Sequence, residues 1–281
     1  MKHERHRDVL YSNRRLSDGY PDLERLGVEW FEAQLSGTDR TWFVDRLVGR
    51  LSRLMDVTPP RRIAVVGCGP NPQTVRRLRE LGHDAVGVEP VAGSVEAAVE
   101  YLGSPEAVRS GAAEELPFEA GEVDLVLAES VLEHVDSVPR SLAEMHRVLR
   151  PGGIAWIGTT NRLRPYPPWK EAEFNVPFFH WLPGILRESY VFFHLHFDPS
   201  LANYTPRPAV HWFSFADLCR LGRDAGFAHF YSVLDLIDPG EFQGLTAPLM
   251  RRIIAAARSH PVLRTLMLLQ YGGTIAMRRR G

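Results

Sequence analysis

Short apolar runs that alternate with stretches of helical period constrain this chain more than any other feature. Ile63 to Val66 reads as a buried strand, Gln73 to Leu81 as a helix, Ala85 to Val88 as a strand and Val91 to Leu102 as a helix. Asp124 to Ala128 follows as a strand, Pro139 to Leu149 as a helix and Ile154 to Gly158 as a strand. Strands joined through helices pair in parallel, because a parallel neighbour needs a long right-handed crossover. The expected fold class is α/β with a doubly wound, Rossmann-like sheet. In such sheets ligands lie beyond the carboxyl ends of the strands.

The flanks differ from this core. Leu23, Leu26, Trp30, Phe31 and Leu35, then Trp42, Phe43, Leu47, Leu51 and Leu54, recur at helical spacing, so residues 1–60 are expected as N-terminal helices ending at Pro59-Pro60. Residues 61–161 hold the alternating core. Residues 162–213 lose the rhythm. Of the chain's 28 aromatic residues, 14 fall between 162 and 215, with 8 of its 21 prolines. An aperiodic stretch of that length and composition marks a substrate lid or binding loop inserted after a strand. From 214 to 281 the pattern resumes. Ser214 caps a helix from Phe215 to Ala225, Phe227 to Ile237 reads as a strand, Leu249 to Leu269 as a helix broken near Pro261, and Gly273 to Met277 as a last strand.

Composition removes whole classes. With 33 basic and 34 acidic residues there is no global field for nucleic acid, and 2 cysteines make no disulfide framework. No run of apolar residues is long enough to span a bilayer, and Met1 precedes a charged rather than an apolar stretch, so a cytoplasmic protein is expected. One bias survives. Seven arginines and no acid lie between Phe242 and Gly281, so the helical segment at about 241–271 is basic and amphipathic. Such a segment suits peripheral contact with an anionic membrane or an anionic substrate.

The chemistry begins at Gly67-Cys68-Gly69, between the first strand and the first core helix. Glycine there allows close backbone approach, and the helix start offers unpaired N–H groups. Glu89 closes the next strand, placed to accept the two hydroxyls of a ribose.

These residues, with Val88-Glu89-Pro90, Glu114 to Phe118, Asp124 to Leu127, Glu133-His134-Val135 and Leu149 to Gly153, occur in an order that resembles the class I S-adenosylmethionine-dependent methyltransferases, in the branch that acts on small molecules. The resemblance implies a seven-stranded sheet in the order 3-2-1-4-5-7-6, S-adenosyl-L-methionine as cofactor, S-adenosyl-L-homocysteine as product, and no metal. By position, Gly67, Cys68 and Gly69 would hold the methionine part, and Glu89 with Pro90 the ribose. Ala112 and Ala113 would lie at the adenine, and Glu129, Ser130 and His134 beside the sulfonium. Val65, Asn71 and Ala112 depart from the family pattern, which has an acid, a glycine and an Asp or Asn there. Thr159-Thr160-Asn161-Arg162 is similar to the ubiquinone-pathway O-methyltransferases.

Displacement at a sulfonium needs alignment, and a base where the nucleophile carries a proton. His134, at the start of the helix after the fourth strand, is a candidate base, as are His180, His194, His196 and His211, with one at most acting. His194, His196 and Asp198 alternate as metal ligands could on a strand, and Glu133-His134 is similar to a metal-binding helix of some O-methyltransferases, although Ser130 stands where its acid would be. Trp169, Phe178, Phe179, Trp181, Tyr190, Tyr204 and Trp212 are the expected substrate-facing aromatics. The function expected is O-methylation of a bulky, partly apolar molecule such as a polyketide, quinone, lipid-linked or glycosidic metabolite. The second reading is a non-catalytic nucleoside-binding or membrane-surface protein on the same scaffold.

Overall fold

The computed structural model describes residues 41–164 and 211–281, with positions 182, 183, 186 and 209 between them. The periodicity at Leu23 to Leu35 and almost all of the aromatic segment lie outside the described residues. Helix α1 (Thr41–Leu51) buries Val44, Leu47 and Leu51, which share one face by their three- and four-residue spacing. Trp42, from the same apolar set, is 57% exposed and lies under the Arg46 guanidinium.

The sheet contains β1 (Arg62–Val66), β2 (Asp84–Glu89), β3 (Val108–Ser110), β4 (Val123–Glu129), β5 (Leu149–Gly158), β6 (His229–Ser232) and β7 (Thr274–Arg278). Their order is 3-2-1-4-5-7-6, the order that the resemblance implies. Pairings from β3 through β5 are parallel, and β7 runs antiparallel to both β5 and β6. Between the strands come α2 (Gln73–Glu80), α3 (Ala92–Leu102), α4 (Val138–Val148), α5 (Phe215–Asp224), α6 (Val233–Leu236), α7 (Ala247–Ser259) and α8 (Pro261–Tyr271).

Both sheet faces are covered, which explains why the central strands read as continuous apolar runs rather than alternations. Val66, Val88, Val126, Ala128 and Ile157 belong to the core shared with Leu142 and Met145 of α4 and Leu218 of α5. Val65, Leu125, Leu127 and Trp156 belong to the opposite core, with α1, α2 and Ile254 of α7. Crossovers reverse between β1 and β4, so the ligand-binding position is the carboxyl edge around those two strands.

Four local readings change. β3 has only three residues and no apolar run to announce it. β5 starts at Leu149, five residues before the expected Ile154, because the Arg150-Pro-Gly-Gly stretch already follows the strand path. The expected strand from Phe227 to Ile237 stops at Ser232. There the Ser232 hydroxyl and backbone N–H both donate to the Asp235 carboxylate, a capping arrangement that turns the chain into α6. His134 does not begin a helix; it lies in a turn, and α4 starts at Val138.

Three arginines between β6 and β7 bond within the protein. Arg258 donates to the carbonyls of Leu234 and Ile237, Arg251 to those of Pro239 and Phe242, and Arg264 forms a two-pronged pair with Asp235. Among the described residues no helix is long and apolar enough to cross a membrane.

Candidate active site at the carboxyl edge of the sheet

The turn after β1 is shaped by its two glycines. Gly67 and Gly69 have φ of 65° and 67°, the left-handed region that glycine enters at little cost. Gly67 and Cys68 both donate their N–H to the Val88 carbonyl, at 2.8 and 3.2 Å, which ties the turn to β2. A Cβ at Gly67 would meet Val131 Cγ2 at 2.6 Å, so this glycine serves packing. A Cβ at Gly69 would meet nothing within 4 Å, so this one borders open space. The Cys68 side chain lies against Gly87, and burial, then the Glu89 charge, pushes its thiol up to about 12. An inert thiol turned into the protein leaves Cys68 only its backbone to offer a ligand.

Glu89 closes β2 with its carboxylate directed back at the turn. Oε2 accepts the Gly69 N–H at 3.1 Å and Oε1 the Val91 N–H at 3.2 Å. Only 7% of the residue is exposed, and that burial raises its pKa against the lowering effect of the two N–H donors. Among the described residues neither Glu89 nor the more deeply buried Glu133 has a cationic partner. Pro90 is exposed, and the Glu89 carbonyl accepts the Gly111 N–H, which brings Ala112 and the buried Ala113 beside the end of β2. Asn71 adds a buried Oδ1 with no hydrogen-bond partner.

Beyond β4 the backbone is strained. Ser130 has φ of 56°, the one non-glycine residue with positive φ among those described, and its N–H donates to the Gly158 carbonyl. Glu129, expected to face a ligand, folds over Gly158 and accepts the Trp156 indole N–H at 2.5 Å. Glu133 follows in the turn and is 1% exposed; Thr159 Oγ1 donates to its carboxyl at 2.7 Å. Burial pushes its pKa from the usual value near 4.5 up to about 7.

Two of the five candidate bases fall within the described residues. His134 and His211 meet here: the carbonyls of Glu133 and Val135, on either side of His134, accept the His211 backbone N–H and ring Nε2, at 3.3 and 2.8 Å. A carbonyl only accepts, so His211 Nε2 is the donor in this contact. The ring is 5% exposed and stacks on Phe213, while the neighbouring Trp212 is buried as well. His180, His194, His196, Trp169, Phe178, Phe179, Trp181, Tyr190 and Tyr204 lie outside the described residues. No cluster of three potential metal ligands occurs among the described residues.

The sequence alone marks no role for Trp156, and shows Glu133 and Glu114 only as members of motifs. The last supports α4, accepting the N–H groups of Asp136 and Ser137 at the helix start. Asn71 was visible only as a missing glycine.

Residues 64–157 match a family described as "Methyltransferase domain". An uncharacterized methyltransferase of Mycolicibacterium gilvum is 38% identical over 124 residues, 43% of this chain and 48% of that protein. A ubiquinone biosynthesis O-methyltransferase of Azorhizobium caulinodans is 36% identical over 154 residues, 50% of this chain and 60% of that protein. Residues 64–157 form a methyltransferase domain. The alignments with these curated relatives span about half to three fifths of the relatives' length. The fold of the methyltransferase domain also occurs in an S-adenosylmethionine-dependent methyltransferase from Mesorhizobium loti (17% identity, TM-score 0.50, 87% of this chain and 100% of that one). A Haloferax volcanii protein solved with the Trm112 methyltransferase activator shares it too (19% identity, TM-score 0.53, 92% and 98%).

The methyltransferase cofactor, with its sulfonium, ammonium and ribose diol, fits the residues present. An open glycine turn, two buried carboxyls without cationic partners and an unpaired buried amide oxygen match a ligand that carries positive charge and hydroxyl donors.

Proposed function

We propose that the chain is an S-adenosylmethionine-dependent methyltransferase that methylates a hydroxyl of a bulky, partly apolar small molecule. The observation that carries this reading is the open left-handed Gly69 turn whose N–H is held by the buried, ion-pair-free Glu89. A carboxylate offers about four acceptor sites. Two are taken by Gly69 and Val91, and the others remain for a ribose diol. The residues assigned to the cofactor are Gly67 to Gly69, Glu89, Ala112, Ala113 and Ser130, with Asn71 Oδ1 able to accept from an ammonium group. When bound, the cofactor supplies an electrophilic methyl group on a positively charged sulfur.

The chain's own contribution is alignment, exclusion of water and removal of one proton. Holding nucleophile and methyl carbon in line can account for several kcal/mol of barrier lowering, with no covalent catalysis. The candidate bases are His211, whose Nε2 donates to the Val135 carbonyl, and His134, on the loop that grips it, with His180, His194 and His196 in the aromatic segment. Oxygen as the methylated atom is supported by the O-methyltransferase among the relatives and by the Thr159 to Arg162 likeness. An apolar acceptor is supported by the aromatic composition of residues 162–215.

Calorimetric titration with S-adenosylmethionine and S-adenosylhomocysteine tests the cofactor. Mass spectrometry of cell extract incubated with methyl-labelled cofactor and the protein tests the acceptor. Label on a hydroxyl of an apolar metabolite is the expected result. Label on nitrogen or carbon overturns the O-methylation reading, and folded protein that binds neither nucleoside overturns the enzymatic one.

A further inference from the structure

The segment between α6 and β7 presents an outer surface that the proposed site does not use. Its two helices lie on one core: Ile254 of α7 is buried in it, and Met267 and Leu268 of α8 pack against it. By the helical period, Leu249 and Arg252 lie on the side of α7 opposite the buried Ala247 and Ile254. Val262 and Leu266 lie on the side of α8 opposite Arg264 and Met267. Both outer faces therefore look away from the sheet together. Leu249, Val262 and Leu266 are each more than half exposed, and Leu245, just before α7, is fully so. The charge on this surface has one sign. From Phe242 to Gly281 there is no acid. Arg251 and Arg258 bond to neutral carbonyls, which fix the side chains without cancelling their charge. Arg252 is exposed and, among the described residues, pairs with no carboxylate. The acids that border the helices are already taken: Asp235 by Arg264, Asp238 by Arg53 and Glu241 by Arg50.

We propose that the outer face of α7 and α8 docks the protein on an anionic membrane. Leu245, Leu249, Val262 and Leu266 enter the boundary between headgroups and acyl chains, and Arg251 and Arg252 meet the anionic headgroups. Aliphatic side chains standing out from paired helices, with cations and no acids beside them, are what such a boundary recognises. A second copy of the chain is disfavoured, because a two-fold contact sets this cationic face against itself. The surface also adjoins the carboxyl edge of the sheet. Asn161 Nδ2, just past β5, donates to the Leu269 carbonyl at 2.8 Å, and the Thr159 N–H donates to the Gly273 carbonyl at 2.8 Å. The 11 residues of α8 span about 16 Å, so the docked helix holds that edge within one helix length of the lipid. Docking of this kind needs no cofactor.

The test is flotation of the full chain with vesicles of pure phosphatidylcholine and of equal parts phosphatidylcholine and phosphatidylglycerol, at low and at high salt. Wild-type protein is expected to bind the anionic vesicles at least about 10-fold more strongly and to lose most of that preference in high salt. Leu249→Ser combined with Leu266→Ser, and separately Arg252→Glu, are each expected to weaken vesicle binding by at least about 5-fold. These side chains are exposed, so Tm and S-adenosylhomocysteine affinity are expected to stay at the wild-type values. Wild-type protein that binds neither vesicle, or both equally, overturns the proposal. Variants that bind like the wild type overturn it too, because another surface then makes the contact. So does a dimer, seen by light scattering, that the paired leucine substitutions dissociate, because the face then belongs to a second copy. Titration with S-adenosylhomocysteine in the absence of lipid reads the methyltransferase assignment separately.

Discussion

Replacing each glycine of the first turn by alanine separates packing from ligand binding. Both residues have positive φ, so either substitution costs about 1 kcal/mol in backbone conformation. At Gly67 the new methyl group also meets Val131 Cγ2 at 2.6 Å, and relieving such overlap in a packed site costs about 1–3 kcal/mol. Gly67→Ala is therefore expected to lose about 3 kcal/mol, a fall in Tm of roughly 6–12 °C for a chain of this size. At Gly69 the methyl group meets nothing within 4 Å, so Tm is expected to fall by only about 2–4 °C. That same methyl group intrudes on the space proposed for the cofactor, and S-adenosylhomocysteine affinity is expected to drop at least about 10-fold, or 1.4 kcal/mol. Scanning calorimetry and isothermal titration on both variants measure the two quantities. A Gly69→Ala protein that binds the nucleoside like the wild type refutes the placement, because the space beside Gly69 would then belong to no ligand.

Three further outcomes follow from the same geometry. Glu89→Ala removes the acceptor for the Gly69 and Val91 N–H groups and for the diol; nucleoside affinity measured by calorimetry is expected to fall at least about 100-fold, and Glu89→Gln to fall less. In a Cys219→Ser background, alkylation of Cys68 at pH 8.5 is expected to be at least about 100-fold slower in folded than in urea-unfolded protein, since burial holds the thiol near 12. Glu133, raised from about 4.5 to about 7 on folding, binds its proton more tightly in the native state. Its stabilising contribution is fully present below pH 4.5 and is lost as pH rises to 7, on the order of 3 kcal/mol. Glu133→Gln is expected to flatten that part of the pH dependence of Tm, and an unchanged profile contradicts the assignment.

The sheet was legible because burial on both faces writes β1, β2, β4 and β5 as unbroken apolar runs, and because helices separate them. β3 was illegible for a physical reason: three residues at an edge carry too little apolar surface to show a period. The end of β6 could have been read. Ser232 and Asp235 stand three apart, the spacing of a capping box, but the apolar residues around them suggested a longer strand. At the site, Gly69 and Glu89 were legible as a turn and an acid at fixed places in a βα unit. Glu129 was not, because nothing local announces that its carboxylate turns to the Trp156 indole across the pairing with β5. Glu133 was read with His134 for its place in a motif. Its chemistry comes from complete burial against Thr159, 26 residues further along, which only the fold creates.

The account as a whole is most directly tested by solving the crystal structure of the protein with S-adenosylhomocysteine bound. The ribose hydroxyls are predicted to bond both oxygens of Glu89, with the homocysteine portion crossing Gly69 and the sulfur over the end of β4. Density for the nucleoside anywhere else on the molecule, with the Gly69 crevice left to solvent, contradicts it.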